Sequence, residues 1–166
     1  MKSRLKICTV VGTRPEIIRL SQVINKISSC FNHILVNTNQ NFDNQLNKIF
    51  FKELKITRPK YNLKLNGNSA IEKISSMLIK IETIIKKEKP DGFLVLGDTN
   101  SALSSFVAKR YKIPIFHMEA GNRCFDLRVP EEINRELVDK IADINITYSQ
   151  NAKENLINEG FDLDKI

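Results

Sequence analysis

Short apolar runs of strand length alternate with amphipathic segments along the whole chain. Five such runs occupy residues 5–11, 33–38, 92–97, 114–120 and 144–149. None alternates strictly between apolar and polar residues, so each predicts a strand that is buried on both faces. Strands of this kind form parallel sheets, in which a helix connects successive strands. The pattern therefore predicts an α/β domain with a doubly wound parallel sheet.

Apolar residues at helical spacing fill the intervals between these strands. They predict helices at residues 16–27, 41–51, 101–111, 130–142 and 150–160, and a long helix after residue 69. Ser69 and Glu72 form a capping-box pattern in front of that long helix. A short strand is expected at 61–65. No linker, repeat or low-complexity tract interrupts the pattern, so residues 1–166 predict one domain.

Composition restricts the classes of function. A chain of 166 residues with 42% hydrophobic residues can bury a substantial core. Its formal charge of +7 comes from scattered lysines that are not interleaved with aromatic residues, so we predict no nucleic-acid partner. No run approaches the roughly 20 apolar residues of a membrane helix, which predicts no membrane association.

The cysteines and the N-terminus bear on the compartment. Three widely spaced cysteines fit neither a disulfide framework nor a zinc site. The first residues carry only a short apolar run, which predicts no secretory signal. We therefore expect a cytoplasmic protein, and we expect neither a metal nor a cofactor.

Charged residues follow three of the predicted strands at the point where each strand ends. Arg14 comes after the first strand, Asp98 after the third and Glu119 after the fourth. In open α/β sheets, ligands bind beyond the carboxyl ends of the strands. The sequence thus predicts a cleft with cations and carboxylates, suited to an anionic substrate. Two alternatives stay open here: a plain tight turn at residues 12–15, and Asp98 as a helix N-cap.

The predicted helix at 130–142 carries charge on two faces. Glu131 and Arg135 share a face that becomes apolar after one turn, which indicates the charged rim of a partly buried surface. An exposed ion pair between them is the alternative. Glu132 and Glu136 are predicted to face solvent.

The same helix also predicts an apolar stripe, formed by Ile133, Leu137 and Ile141. The two histidines, His33 and His117, lie at or in predicted strands. We expect both to be hydrogen-bonded core residues and assign neither a role in function.

Three ordered motifs make the chain similar to a known family: GTRPE (12–16), LGDTNSA (96–102) and HMEAGNRC…VPEEINR (117–135). They resemble the non-hydrolysing UDP-N-acetylglucosamine 2-epimerases. The stretch NRCFD-x-RVPEEINR (122–135) is most similar to the capsule and O-antigen branch, which includes UDP-N-acetyl-L-talosamine/fucosamine 2-epimerases. The resemblance implies a GT-B-like fold, in which two Rossmann-like halves hold the substrate between them.

The resemblance also implies a reaction and its residues. The family inverts C2 of a UDP-HexNAc by eliminating UDP to a 2-acetamidoglucal and adding it back, for surface polysaccharide precursors. The family's acidic catalytic positions match Asp98, Glu119 and Glu131, and its substrate-facing positions match Arg14, Arg135 and Gln40. Asn41 departs from the pattern, since many members have His there. Which acid is base, acid or oxocarbenium stabiliser stays open.

The family's second Rossmann-like half would lie beyond Ile166. We therefore expect residues 1–166 to be the N-terminal domain, inactive alone, of an enzyme that is a homodimer. Two alternatives remain: a GT-B-like glycosyltransferase domain, and a non-catalytic remnant that binds a nucleotide sugar.

Overall fold

A parallel sheet of six strands forms the centre of the molecule. The computed structural model describes residues 4–39 and 51–166. The strands are β1 (Lys6–Val11), β2 (Asn32–Asn37), β3 (Tyr61–Asn62), β4 (Gly92–Leu96), β5 (Ile115–Met118) and β6 (Ile144–Ile146). They pair in the order β3-β2-β1-β4-β5-β6, and every pair is parallel. This is the Rossmann order, so the predicted doubly wound parallel sheet is confirmed.

Helices connect the strands. They are α1 (Arg14–Cys30), α2 (Ala70–Glu88), α3 (Ser105–Arg110), α4 (Pro130–Ile141) and α5 (Gln150–Asn158), with 3-10 turns at Asn100–Ser104 and Leu163–Lys165. The predicted helix at 101–111 thus starts as a 3-10 turn. Thr99 rather than Asp98 caps this turn, because the Thr99 hydroxyl accepts a hydrogen bond from the Ser101 N–H. The predicted helix at 41–51 lies, except for its last residue, outside the described residues.

Local signals account for where α2 begins. The backbone N–H of Glu72 donates to Ser69 Oγ at 3.1 Å, and the Glu72 carboxylate accepts from the Ser69 N–H at 3.2 Å. This reciprocal pair is the capping box that the sequence predicts. The helix then buries Met77, Ile81 and Ile84 against the sheet.

Helices cover both faces of the sheet. On one face, α1 packs Ile17, Leu20 and Ile24 against strand residues such as Leu35 and Leu94. On the other, α2, α3 and α4 pack against residues that include Cys8, Val10, Ile34, Phe93 and Ile115. Successive strand residues therefore enter different cores, which explains the continuous apolar runs. In the described parts of the chain, no helix is long and apolar enough to cross a bilayer.

Gly121 sits where the loop after β5 meets α5. Its φ is +77°, and a Cβ placed on it would lie 2.2 Å from the carbonyl oxygen of Ala152. Asn155 donates to the Gly121 carbonyl at 2.9 Å. Only glycine allows this contact, so α5 is held directly beside the loop that follows Glu119.

The substitution Gly121→Ala should destabilise the chain by more than about 2 kcal/mol, because backbone strain and a collision with α5 add together. Gly160→Ala is the matched control. Gly160 has a similar φ of +81°, but none of the described residues comes within 4 Å of the place that an added methyl group would take. Urea unfolding of both variants measures the difference. Equal losses of stability would contradict the packing argument.

Candidate active site

The buried carboxylate of Glu16 organises the turn between β1 and α1. One oxygen accepts from the backbone N–H of Gly12 at 2.8 Å and from the N–H of Thr13 at 2.6 Å. The other accepts from the hydroxyls of Thr99, at 2.9 Å, and Ser101, both in the segment after β4. Glu16 therefore ties the carboxyl ends of β1 and β4 together, at the point where the strand order reverses.

Asp98 and Arg135 form an ion pair beyond the end of β4. The Arg135 guanidinium contacts the Asp98 carboxylate, and both side chains are largely shielded from solvent, with exposures of 13% and 26%. Asn134 donates to the Asp98 carbonyl at 2.9 Å. The second turn of α4 thus holds Asp98 through both its side chain and its backbone.

Glu119 lies beyond the end of β5 and faces the same region. Its carboxylate pairs with Arg19 of α1 at 2.5 Å and 2.7 Å. A Cβ placed on Gly97 would lie 3.7 Å from Glu119 Oε2, so this carboxylate lies beside the residue that precedes Asp98. Asp98 and Glu119 therefore lie at the same carboxyl edge of the sheet, where Arg135 pairs with Asp98 and Arg19 pairs with Glu119.

The prediction that Glu132 faces solvent is wrong. Its side chain is fully buried, and its carboxylate accepts from the N–H groups of Cys124 and Phe125, each at 2.9 Å. It also contacts the Arg135 guanidinium. Burial acts to raise the pKa of the Glu132 carboxyl, but the two backbone donors and Arg135 outweigh it, so the pKa lies below its usual value of 4.5.

The predicted apolar stripe of α4 packs against the core only at its last member, Ile141. Ile133 and Leu137 are 50% and 41% exposed, whereas Val138 and Ala142 are buried. The helix is turned so that Glu132, Val138 and Asp139 face inward. Hydrogen bonds to the inward carboxylates stabilise this orientation over one that would bury the two larger apolar side chains.

The remaining predicted site residues have simpler surroundings. Arg14 is the first residue of α1, at the carboxyl edge beyond β1, and its side chain is half-buried. Glu131 lies in the first turn of α4 with its side chain exposed. Gln40 and its neighbour Asn41 lie outside the described residues.

Sequence reasoning assigned no role to three charged residues of this edge: Glu16, Arg19 and Glu132. The T-x-x-E spacing of Thr13 and Glu16 is a capping-box signal that could have identified the first. Arg19 is recognisable only from its contact with Glu119 in the folded chain. In the described residues, no three His, Cys, Asp or Glu side chains lie together in a way that could hold a metal ion.

Residues 25–166 match the family described as UDP-N-acetylglucosamine 2-epimerase. The chain belongs to this family. It is 43% identical over 164 residues to a UDP-N-acetylglucosamine 2-epimerase of Methanocaldococcus jannaschii, covering 98% of this chain and 45% of that protein. It is also 43% identical over 161 residues to a UDP-2,3-diacetamido-2,3-dideoxy-D-glucuronate 2-epimerase of Pseudomonas aeruginosa, covering 95% of this chain and 46% of that protein.

Solved structures agree with the fold of this epimerase-family chain. The M. jannaschii UDP-GlcNAc 2-epimerase in complex with UDP-GlcNAc and UDP superposes with a TM-score of 0.93 at 43% identity, covering 98% of this chain and 45% of that one. The galactosyltransferase WaaB shares the fold alone, at a TM-score of 0.66 and 18% identity. The chain spans about half the length of the curated relatives it matches, 45% in the M. jannaschii case.

Replacing Glu132 by Gln should cost on the order of 3 kcal/mol at neutral pH, because Arg135 loses a buried partner. Glu136→Gln is the control: Glu136 is on the same helix but exposed, so its loss should stay within about 0.5 kcal/mol. Urea unfolding of the chain measures both.

The cost of Glu132→Gln should also depend on pH. The folded pKa of Glu132 is depressed, so the stability that its carboxylate contributes is complete above pH 4.5 and is lost as pH falls through the folded pKa. The difference in the free energy of unfolding between wild type and variant should therefore become smaller in acid. A gap that is independent of pH would contradict the ionised state of Glu132.

Proposed function

We propose that this chain is the N-terminal half of a UDP-N-acetylglucosamine 2-epimerase of the non-hydrolysing kind. The observation that carries the proposal is that the Asp98–Arg135 pair and Glu119 lie together at the carboxyl edge, beyond the ends of β4 and β5. Two carboxylates and a guanidinium are the groups that elimination of a diphosphate from a sugar requires. Membership of the family and the relatives' names agree with this reaction.

The reaction inverts C2 of the sugar in two halves. A carboxylate removes the C2 proton while the bond between C1 and the diphosphate oxygen breaks, which gives 2-acetamidoglucal and UDP. The second half adds UDP back at C1 and a proton to the other face of C2. Carboxylates also stabilise the positive charge that develops at C1. Asp98, Glu119 and Glu131 are the proposed acids, with Arg14, Arg135 and Gln40 on the substrate side.

The ion pairs of the site suggest how substrate binding prepares the acids. Arg135 pairs with Asp98, and Arg19 pairs with Glu119. A diphosphate competes for guanidinium groups, which bind phosphate oxygens in bidentate fashion. When it takes a guanidinium, the carboxylate is released from its ion pair. Substrate binding thus frees the group that removes the C2 proton to contact the sugar.

UDP-N-acetylglucosamine is the first candidate substrate. The M. jannaschii and P. aeruginosa relatives are named for different UDP-sugars, yet each is 43% identical to this chain. Overall identity therefore supports a UDP-sugar with a 2-acetamido group and does not select the sugar. The P. aeruginosa relative makes a UDP-2,3-diacetamido sugar the second candidate, ahead of UDP-N-acetyl-L-talosamine.

A second half is proposed to complete the cleft, because the chain covers 45% of the M. jannaschii enzyme. We place the protein in the cytoplasm. Cys8, Cys30 and Cys124 are all free thiols, and two of them are exposed, which fits a reducing compartment.

The exchange of the C2 proton tests the reaction. The chain completed by its second half should place deuterium at C2 of UDP-N-acetylglucosamine in D2O, and the chain alone should not. Asp98→Asn and Glu131→Gln should each lower kcat by at least about 100-fold, since general acid–base groups contribute that much. Glu136→Gln is the control for charge loss on α4. Unchanged kcat in both site variants would overturn the proposed roles.

A homodimer is proposed through α2 and α3. Ile79, Phe106 and Tyr111 are 66%, 50% and 39% exposed and line one shallow recess between the two helices. Apolar side chains gathered in this way commonly mark a protein interface. Phe106→Lys should convert the dimer to a monomer in light scattering. Phe125→Lys, at an aromatic residue that is 79% exposed but lies outside the recess, should leave the dimer intact.

A further inference from the structure

His117 lies on β5, and its side chain is fully buried. Nδ1 lies 2.7 Å from Oδ1 of Asp139 on α4, and Nε2 lies 2.8 Å from the carbonyl oxygen of Gly97. A carbonyl oxygen and an ionised carboxylate can only accept hydrogen bonds. Both ring nitrogens must therefore donate, which makes the ring an imidazolium.

Asp139 accepts hydrogen bonds from two further groups. Its second oxygen accepts from the N–H of Gly121 at 3.2 Å and from the Arg123 guanidinium at 2.7 Å. Arg123 in turn makes two bonds to Glu159, at 2.7 Å and 2.6 Å. Charges alternate along the chain of Glu159, Arg123, Asp139 and His117. Without both ring protons, one nitrogen of His117 would set its lone pair against the Asp139 carboxylate or the Gly97 carbonyl, and a buried polar group without a partner is costly.

This network contacts residues close in sequence to two proposed catalytic acids, Asp98 and Glu119. Asp139 holds His117, two residues before Glu119, and Gly121, two residues after it. His117 holds the carbonyl of Gly97, the residue before Asp98. Glu119 itself has a φ of +66°, a conformation that a side-chain-bearing residue keeps only when its surroundings enforce it.

We propose that His117 is a positioning residue, whose doubly protonated ring, held by Asp139, joins the ends of β4 and β5 and sets the separation of the Asp98 and Glu119 carboxylates. The role of those two acids rests on the proposed epimerase function. Buried ion networks add little net stability compared with apolar side chains of similar size. The network instead serves to position the reacting groups, since a shift of about 1 Å in their placement can lower the rate about 100-fold.

The protonation state is measurable on the chain itself by NMR. The chain has two histidines, so the imidazole spectrum holds two spin systems, and His33→Gln assigns them. At neutral pH, His117 should show a proton on each ring nitrogen. His33 should show a neutral ring, because burial lowers its pKa to about 4. A His117 ring with one bare nitrogen would overturn the proposal.

Kinetics of the completed enzyme test the positioning role. The glutamine introduced by His117→Gln can supply only one of the two hydrogen bonds that the His117 ring donates. We therefore expect kcat and kcat/KM to fall together by about 100-fold while KM stays constant. His33→Gln is the matched control. That residue also lies on a strand and bonds through both nitrogens, to Ser28 at 2.8 Å and Thr9 at 2.9 Å, but it lies near the opposite end of the sheet. The kcat of the His33→Gln enzyme should not change.

Asp139→Asn provides a second variant should His117→Gln fail to fold. It should remove one ring proton from His117 in the NMR spectrum and lower kcat with KM constant. A rise in KM alone, or a kcat equal to wild type, would refute positioning. Wild-type enzyme that places no deuterium at C2 would refute the proposed function instead. The NMR result would still decide the state of His117.

Discussion

The buried carboxylate of Glu16 is the contact on which the carboxyl edge of the sheet depends. β1 and β4 are neighbours in the sheet, but their connections run to opposite faces, so the turns that follow them diverge and leave a crevice. Glu16 accepts hydrogen bonds from both turns and sets the distance between them. Without these acceptors, the N–H groups of Gly12 and Thr13 would lose their partners in a largely water-free position.

Two further buried carboxylates repeat this arrangement along α4. Glu132 holds the backbone of Cys124 and Phe125, and Asp139 holds Gly121 and His117. Each of these acids faces backbone or buried side chains. Two of the acids proposed for chemistry, Asp98 and Glu119, lie on the segments that the buried ones hold, and they retain contact with solvent. Buried carboxylates thus shape the edge, and partly exposed carboxylates are left available to a substrate.

Part of this arrangement could be predicted from the chain alone. The capping box at Ser69, the continuous apolar strands and the convergence of Asp98 with Glu119 all follow from local patterns and from the geometry of parallel sheets. The orientation of α4 does not. Hydrophobic periodicity predicts that every glutamate of a helix faces solvent. The Glu132 carboxylate instead accepts hydrogen bonds from two backbone N–H groups and contacts the Arg135 guanidinium. Those donors come from residues that only folding places beside it.

The sequence by itself determined the α/β class, the order of the elements and the edge of the sheet where charges gather, because these depend on periods and on strand direction. Tertiary structure decided which charges are buried and which pairs form. Arg19 lies 100 positions from its partner Glu119, and Glu16 lies 83 positions from Thr99. Such pairs depend on the packing of whole helices against the sheet, and no local pattern in the chain encodes the distance between them.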